Sequence, residues 1–110
     1  MEKQTLKEIF EKEIGKITDQ IAKKYRPSKI ILFGSCAKGA FTENSDIDML
    51  IIKETSDSRI KRIKEVLLSV DNDLPFEPLV YTPLEIENRI KLGDFFVKTA
   101  LKEGKVIYGN

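Results

Sequence analysis

The stretch "ILFGSCAKGAFTENSDIDMLII" (residues 31–52) decides the fold, because it contains two short apolar segments and a brief connection. The first segment, "KIILF" at residues 29–33, is short, β-branched and apolar, which predicts a buried strand. The second, "DIDMLII" at residues 46–52, predicts another strand. Only ten residues separate Ser35 from Asp46, whereas a parallel crossover needs about a dozen or more and usually a helix. The two strands are therefore predicted to be antiparallel neighbours.

Helical patterns surround these strands. Residues 3–25 and 57–70 carry apolar side chains at spacings of three and four, typical of amphipathic helices. In the second helix, Asp57 is the predicted N-cap, and Ile60 and Leu67 are expected on the buried face. The other predicted elements are a strand at residues 76–81, a helix from Thr82-Pro83 to about Leu92, a helical segment from about Gly93 to Glu103 and a short strand in "KVIYG".

The third strand, "FEPLVY" at residues 76–81, follows the second one through a long helix, which predicts a parallel crossover. Its Pro78 places it at a sheet edge or a bulge. Glu77 would then lie beside the start of the second strand. The predicted fold class is α/β (α+β), a small mixed sheet flanked by helices. A single domain is expected over residues 1–110, with a catalytic core at about 29–81 and C-terminal helices at about 83–104.

Composition narrows the class of chemistry. The 110 residues carry 19 basic and 18 acidic side chains, a net charge of +1, so bulk charge gives no reason to expect binding to nucleic acid or a membrane. The single Cys36 cannot form an internal disulfide, and no segment suits a signal peptide or a membrane span, so a soluble cytoplasmic protein is predicted. Histidine is absent, which excludes a Ser-His-Asp triad and His-ligated zinc.

Asp46 and Asp48 are two acidic residues in a predicted strand. Side chains two apart on a strand share a face and lie about 6.6 Å apart along it. Carboxylates this close repel one another unless a cation neutralises them. Mg²⁺ is usually bound by one or two carboxylates plus substrate phosphates, and pairs of such ions serve in-line phosphoryl displacement. With Glu77 nearby, the pattern favours a site for two Mg²⁺ ions. The alternative is that Asp46 closes a turn and Asp48 faces solvent.

Gly34-Ser35 ends the first strand beside these carboxylates. Glycine at a strand end lets the backbone turn sharply and approach a ligand closely. If Ser35 opens a short helical turn, its N–H and hydroxyl can both donate to an anion, and Lys38 is placed to add a positive charge. Gly-Ser pairs also occur in ordinary turns. The prediction of a phosphate-binding loop therefore depends on the pairing with Asp46 and Asp48.

This combination resembles a known family. "GS", ten residues and "DID" resemble the signature of the DNA polymerase β-like nucleotidyltransferases, and "GSCAKG" is similar to that family's "GSxARG" stretch. The length, the layout and the closing "FFVKTALKEGKVIYG" resemble the minimal members, which consist of the catalytic fold alone. The resemblance implies nucleotidyl transfer from an NTP, with Mg²⁺ held by Asp46 and Asp48 and with Gly34 and Ser35 contacting the triphosphate.

Two positions depart from the family's pattern. The third carboxylate is normally Asp, and Glu77 aligns there. Glu reaches one methylene further and can still act as a general base or a metal ligand. Cys36 stands where many relatives carry Arg, which removes one phosphate contact. Without a His partner, Cys36 is interpreted as a packing residue rather than a nucleophile.

Three functions are compatible with the sequence. The resemblance implies transfer of AMP from ATP to an acceptor hydroxyl. In known pairs of this kind, that hydroxyl belongs to a small helical HEPN-type toxin, and the transferase acts as its antitoxin. The second function is neutralisation of a partner by contact alone. The chain would then be a degenerate transferase in which Glu77 is the substitution that impairs catalysis. The third is transfer to a small molecule, which in such relatives requires an additional substrate domain. Because 110 residues leave no room for that domain, the acceptor is expected to be a folded protein that docks around Phe95 and Phe96.

Overall fold

The structure is a computed structural model that describes residues 3–109. The helices and strands, in chain order, are α1 (Leu6–Lys24), β1 (Lys29–Phe33), β2 (Ile47–Ile52), α2 (Arg59–Ser69), β3 (Phe76–Tyr81), α3 (Pro83–Lys91), α4 (Phe95–Glu103) and β4 (Lys105–Tyr108). Every predicted element is present, and β1 and β3 have the predicted bounds. The predicted class, a small mixed sheet flanked by helices, is confirmed.

The four strands form one sheet in the order β3-β2-β1-β4. β1 pairs antiparallel with β2, as the short connection between them predicts, and β2 pairs parallel with β3. β4 pairs antiparallel with the other side of β1. β3 lies at an edge, in agreement with its Pro78, since proline has no N–H to donate to an interior ladder.

Two helices cover each face of the sheet. Successive strand residues point to opposite sides, so the apolar strands present side chains to be buried on both faces. Ile30 and Met49 are buried with the apolar side chains of α1 and α2. Ile31 and Leu50 are buried with those of α3 and α4. Asp48 lies two residues before Leu50 on β2 and therefore shares the face that α3 and α4 cover.

α1 forms from the predicted apolar stripe. The Thr5 hydroxyl caps its N-terminus by accepting a backbone N–H from the first turn at 3.1 Å. Phe10, Ile17 and Ile21 are buried in the core between this helix and the sheet. The helix is held to the sheet mainly by this burial, at about 1.5–3 kcal/mol for each large apolar side chain.

α2 differs from its prediction in its cap and in its buried face. Ser58, not Asp57, is the N-cap, and its hydroxyl accepts a backbone N–H at 3.3 Å. Ile60 and Leu67, expected in the core, are 82% and 47% exposed. The buried face instead includes Arg62, a residue that apolar periodicity does not select.

The buried Arg62 side chain explains why α2 buries a different face from the one that its apolar spacing predicts. Its guanidinium donates to both carboxylate oxygens of Glu85, at 2.7 and 3.3 Å, and to the Val80 carbonyl at 3.3 Å. A further N–H donates to the Asp57 carbonyl at 2.8 Å. A charged group is buried at tolerable cost when it is paired and hydrogen-bonded in this way. Arg62 therefore joins α2 to the end of β3 and the start of α3.

α3 begins as predicted at Thr82-Pro83. Thr82 and Glu85 form a capping box in which each side chain accepts the other residue's backbone N–H. Asp94 caps α4 by accepting the Val97 N–H at 3.1 Å. Within residues 3–109, no helix is both long and apolar enough to cross a membrane.

Candidate active site

The strand register brings acidic residues of two strands together. Asp48 on β2 lies directly opposite Phe33 on its antiparallel neighbour β1 and opposite Glu77 on its parallel neighbour β3. The predicted position of Glu77 beside the start of the second strand is therefore what the structure shows. Asp46 precedes β2 by one residue and is half-buried.

Gly34 is required by two independent features of this site. Its φ is +74°, in the left-handed region that side chains other than glycine rarely adopt. A Cβ at this position would lie 2.6 Å from Oδ2 of Asp48. The end of β1 thus approaches the Asp48 carboxylate closely, which only a residue without a side chain permits.

The chain after Gly34 forms the predicted short helical turn. The Lys38 and Ala40 N–H groups both donate to the Ser35 carbonyl, at 3.1 and 3.0 Å. The Ser35 hydroxyl donates to Ser45 Oγ at 3.4 Å, which joins both ends of the connection between β1 and β2. Within residues 3–109, the backbone N–H groups of Ser35 and Cys36 have no protein acceptor. These two donors are positioned as at a helix N-terminus, where anions bind.

The electrostatics of the site are dominated by Asp48. Burial raises the pKa of Asp48 from 3.8, and the negative charges of Glu77 and Asp46 and a hydrogen bond with the Glu77 side chain raise it further, to about 6. A negative charge on Asp48 beside that of Glu77, with no cation to compensate it, is therefore unfavourable in the metal-free protein. Perturbed carboxyls of this kind are concentrated at functional sites.

Cys36 is a packing residue, as interpreted from the sequence. Its side chain is buried, and its Sγ donates to the Asp46 carbonyl at 3.3 Å. Burial raises the pKa of the Cys36 thiol, and the charge of Asp48 adds to that effect. A nucleophilic cysteine needs the opposite shift.

The three predicted metal ligands are only partly assembled. Asp48 and Glu77 are adjacent, but the described residues contain no group of three His, Cys, Asp or Glu side chains arranged to hold a metal ion. The pair nevertheless fits Mg²⁺, because this ion takes one or two protein carboxylates and completes its shell with phosphate oxygens and water. It would also compensate the charge that raises the pKa of Asp48.

Lys38 lies at the margin of the site and not over the carboxylates. Its exposed ammonium is 3.8 Å from a carboxylate oxygen of Glu103 on α4. Between the loop and α4 is a cavity of about 170 Å³, lined in part by Gly34, Lys38, Thr99 and Glu103. Lys38 is thus near the loop that the sequence predicted to bind phosphate, with an acidic partner that a bound anion would replace.

A second cleft, of about 420 Å³, contains Asp48 and Glu77. Phe33 and Phe96 line both this cleft and the smaller cavity, and their rings meet edge to face with centroids 5.4 Å apart. Sequence reasoning did not select Phe33 as a site residue, although it directly precedes Gly34 in the motif. No local pattern indicates that Thr99 and Glu103 of α4 line the site.

Comparisons with known proteins show the family to which this chain is similar. Residues 12–107 match the family described as "nucleotidyltransferase domain". A protein of Methanocaldococcus jannaschii whose name describes it as a protein adenylyltransferase is 34% identical over 102 residues, which cover 89% of this chain and 97% of the relative. A crystal structure described as that of a nucleotidyltransferase from Sulfolobus solfataricus shares the fold, with a TM-score of 0.61 at 17% identity over 100% of this chain and 93% of that one. The chain belongs to the nucleotidyltransferase domain family.

Proposed function

We propose that this nucleotidyltransferase transfers AMP from ATP to a hydroxyl group of a protein, with Mg²⁺ as its cofactor. The observation that carries the proposal is the close approach of Gly34 to the Asp48 carboxylate, because the turn that follows Gly34 then begins directly beside Asp48 and its neighbour Glu77. The choice of AMP and of a protein acceptor is supported by the name of the M. jannaschii relative.

Each site residue has a role in this proposal. The Ser35 hydroxyl, the N–H groups at the start of the turn and Lys38 bind the triphosphate oxygens. The adjacent Asp48 and Glu77 would hold the metal together with phosphate oxygens and water, and Asp46 would be a third protein ligand. Glu77 is the most exposed of the three. When bound, Mg²⁺ supplies neutralisation of the phosphate charge and lowers the pKa of the acceptor hydroxyl.

The chemical step is an in-line displacement at the α-phosphorus. The acceptor oxygen forms a bond to this phosphorus, the bond to the bridging oxygen of pyrophosphate breaks, and the hydroxyl proton moves to Glu77. Glu77 suits the role of base because its exposed carboxylate faces the open cleft. The Gly34 backbone and the Phe33–Phe96 pair position the reactants and exclude water from one side.

We further propose that the acceptor is a tyrosine on a small helical partner of the HEPN type, with this chain as its antitoxin, acting in the cytoplasm. This finer assignment rests on the resemblance of the "GS"–"DID" motif and its flanking sequence to the minimal nucleotidyltransferases.

Incubation of the purified chain with labelled ATP, Mg²⁺ and the protein encoded by the neighbouring gene tests the proposal. The partner's mass should increase by one or more AMP units, and Asp48→Asn should prevent the increase. Asp71→Asn, an exposed acidic residue outside the site, is the matched control and should retain transfer. A tight complex with no change in the partner's mass would refute transfer and favour neutralisation by contact alone.

A further inference from the structure

The outer face of α4 combines exposed apolar and basic side chains. Phe95, the first residue of this helix, is 82% exposed, and Leu92, three residues earlier, is 83% exposed. Lys98 and Lys102 follow Phe95 at spacings of three and seven, which places them on the same side of the helix. We refer to Phe95, Lys98, Thr99 and Lys102 as the α4 stripe.

Three cationic side chains near the two lysines of the α4 stripe are paired with carboxylates. Arg89 pairs with Asp94, Lys91 with Glu87 and Lys38 with Glu103. Lys98 and Lys102 form no ion pair with any residue between positions 3 and 109. The stripe thus presents two uncompensated positive charges beside an exposed aromatic ring.

The α4 stripe is continuous with the active site. A cavity of about 570 Å³ on this face is lined by Phe95, Lys98, Thr99, Lys102 and Glu103. Thr99 and Glu103 also line the smaller cavity that contains Gly34 and Lys38. A molecule seated on the stripe therefore reaches the margin of the phosphate-binding turn.

We propose that the α4 stripe docks the acceptor protein through a segment that is acidic along one side and apolar along the other. The proposal rests on the proposed function, since it names the surface that presents the acceptor hydroxyl to the site. Acidic side chains of the acceptor pair with Lys98 and Lys102, and its apolar side chains cover Phe95. Charge complementarity of this kind guides encounter and selects the partner.

Two other occupants fit the α4 stripe less well. A nucleic acid would use the lysines, but the chain's net charge is only +1, and backbone-driven binding usually neutralises many phosphates. A second copy related by a two-fold axis would bring four uncompensated lysines together, since such an interface applies the same patch to itself. An acidic segment with an apolar side complements both features of the stripe.

A peptide pool tests the docking surface separately from the chemistry. Each peptide has about 20 residues, long enough to form a helix, with one tyrosine, a leucine face, and a polar face of Glu, Gln or Lys. Retention on the immobilised protein reports docking, and the gain of AMP mass with ATP and Mg²⁺ reports transfer. The variants compared are Lys98→Glu/Lys102→Glu and the control Lys12→Glu/Lys64→Glu, which makes the same charge change on α1 and α2.

The parent and the control should retain Glu-faced peptides at least about fivefold better than Lys-faced ones, and the α4 variant should lose or reverse this preference. No charge preference in the parent, or one that the α4 variant keeps, would overturn the proposal. The proposal would also be overturned if no peptide binds and if Lys98 and Lys102 are instead needed for binding an oligonucleotide or for forming a dimer. Charge-selective retention without AMP transfer would support the docking surface and refute the proposed transfer reaction. AMP transfer without any charge preference would support the transfer reaction and refute the docking surface.

Discussion

Asp48 is the residue at which burial, charge and backbone geometry act together. Its carboxyl lies against Gly34 at the end of β1 and beside Glu77 on β3. Burial disfavours a negative charge on Asp48, and the negative charges of Glu77 and Asp46 add to that effect. A bound cation with its phosphates would reverse both effects, so the free protein is less stable than it would be without this carboxylate.

Asp48→Asn should therefore stabilise the metal-free protein above about pH 7. The pKa of Asp48 is raised from 3.8 to about 6 by folding, so the folded state binds a proton more readily than the unfolded chain between these values. The stability that protonated Asp48 contributes is present below 3.8 and is lost as the pH rises through about 6. Urea unfolding in the presence of EDTA should show that the unfolding free energy of Asp48→Asn exceeds that of the parent by an amount that grows as the pH rises. The control Asp71→Asn should show no such pH-dependent difference. A difference independent of pH would contradict this origin.

Gly34→Ala should reduce stability more than Gly39→Ala does. The two glycines have nearly equal φ angles, +74° and +72°, so the backbone strain of alanine, about 1–2 kcal/mol, is common to both. Only at position 34 would the new methyl group meet a neighbour, since nothing lies within 4 Å of the Cβ position at Gly39. Urea unfolding measures the difference, which isolates the contact with Asp48. Equal losses would show that Asp48 moves aside without cost.

The elements illustrate which patterns are local and which are not. β1 and β2 could be predicted because their apolar residues and the short connection lie within one stretch of sequence. The buried face of α2 could not, because Arg62 is buried through its pairing with Glu85, 23 residues later in the chain. Periodicity selected Ile60 for the core, since it registers apolar side chains and not the partners that make a charge tolerable inside.

Arg62→Met should cost about 2 kcal/mol of unfolding free energy, because it removes the guanidinium donor to the Val80 carbonyl and leaves the Glu85 carboxylate with the Thr82 N–H as its remaining donor. Lys61→Met, one residue earlier, removes an exposed pair with Asp57 and should cost less than about 0.5 kcal/mol. Urea denaturation of both variants provides the comparison. If the two substitutions are equally mild, Arg62 does not hold α2 to β3 and α3.

At the scale of the whole molecule, the site lies where the sheet meets α4. Gly34, Asp48 and Glu77 could be placed together from strand pairing alone, because register follows from short connections and apolar alternation. The contribution of α4 could not be predicted. Its position depends on the burial of Val97 and Ala100 against the sheet, a packing solution that no short motif encodes.

The Phe33–Phe96 pair, through which α4 closes the site, leads to a prediction about two adjacent aromatic residues. Phe96→Ala should lower the unfolding free energy by about 0.5–1.5 kcal/mol for the lost ring contact, and should weaken Mg-ATP binding, because the wall shared by the two cavities is removed. Phe95→Ala should leave both quantities within about 0.5 kcal/mol of the parent, since this ring is exposed and makes no such pair among the described residues. Urea unfolding and calorimetric titration with Mg-ATP distinguish the two. Equal effects at both positions would mean that α4 acts on the site as a whole helix and not through Phe96.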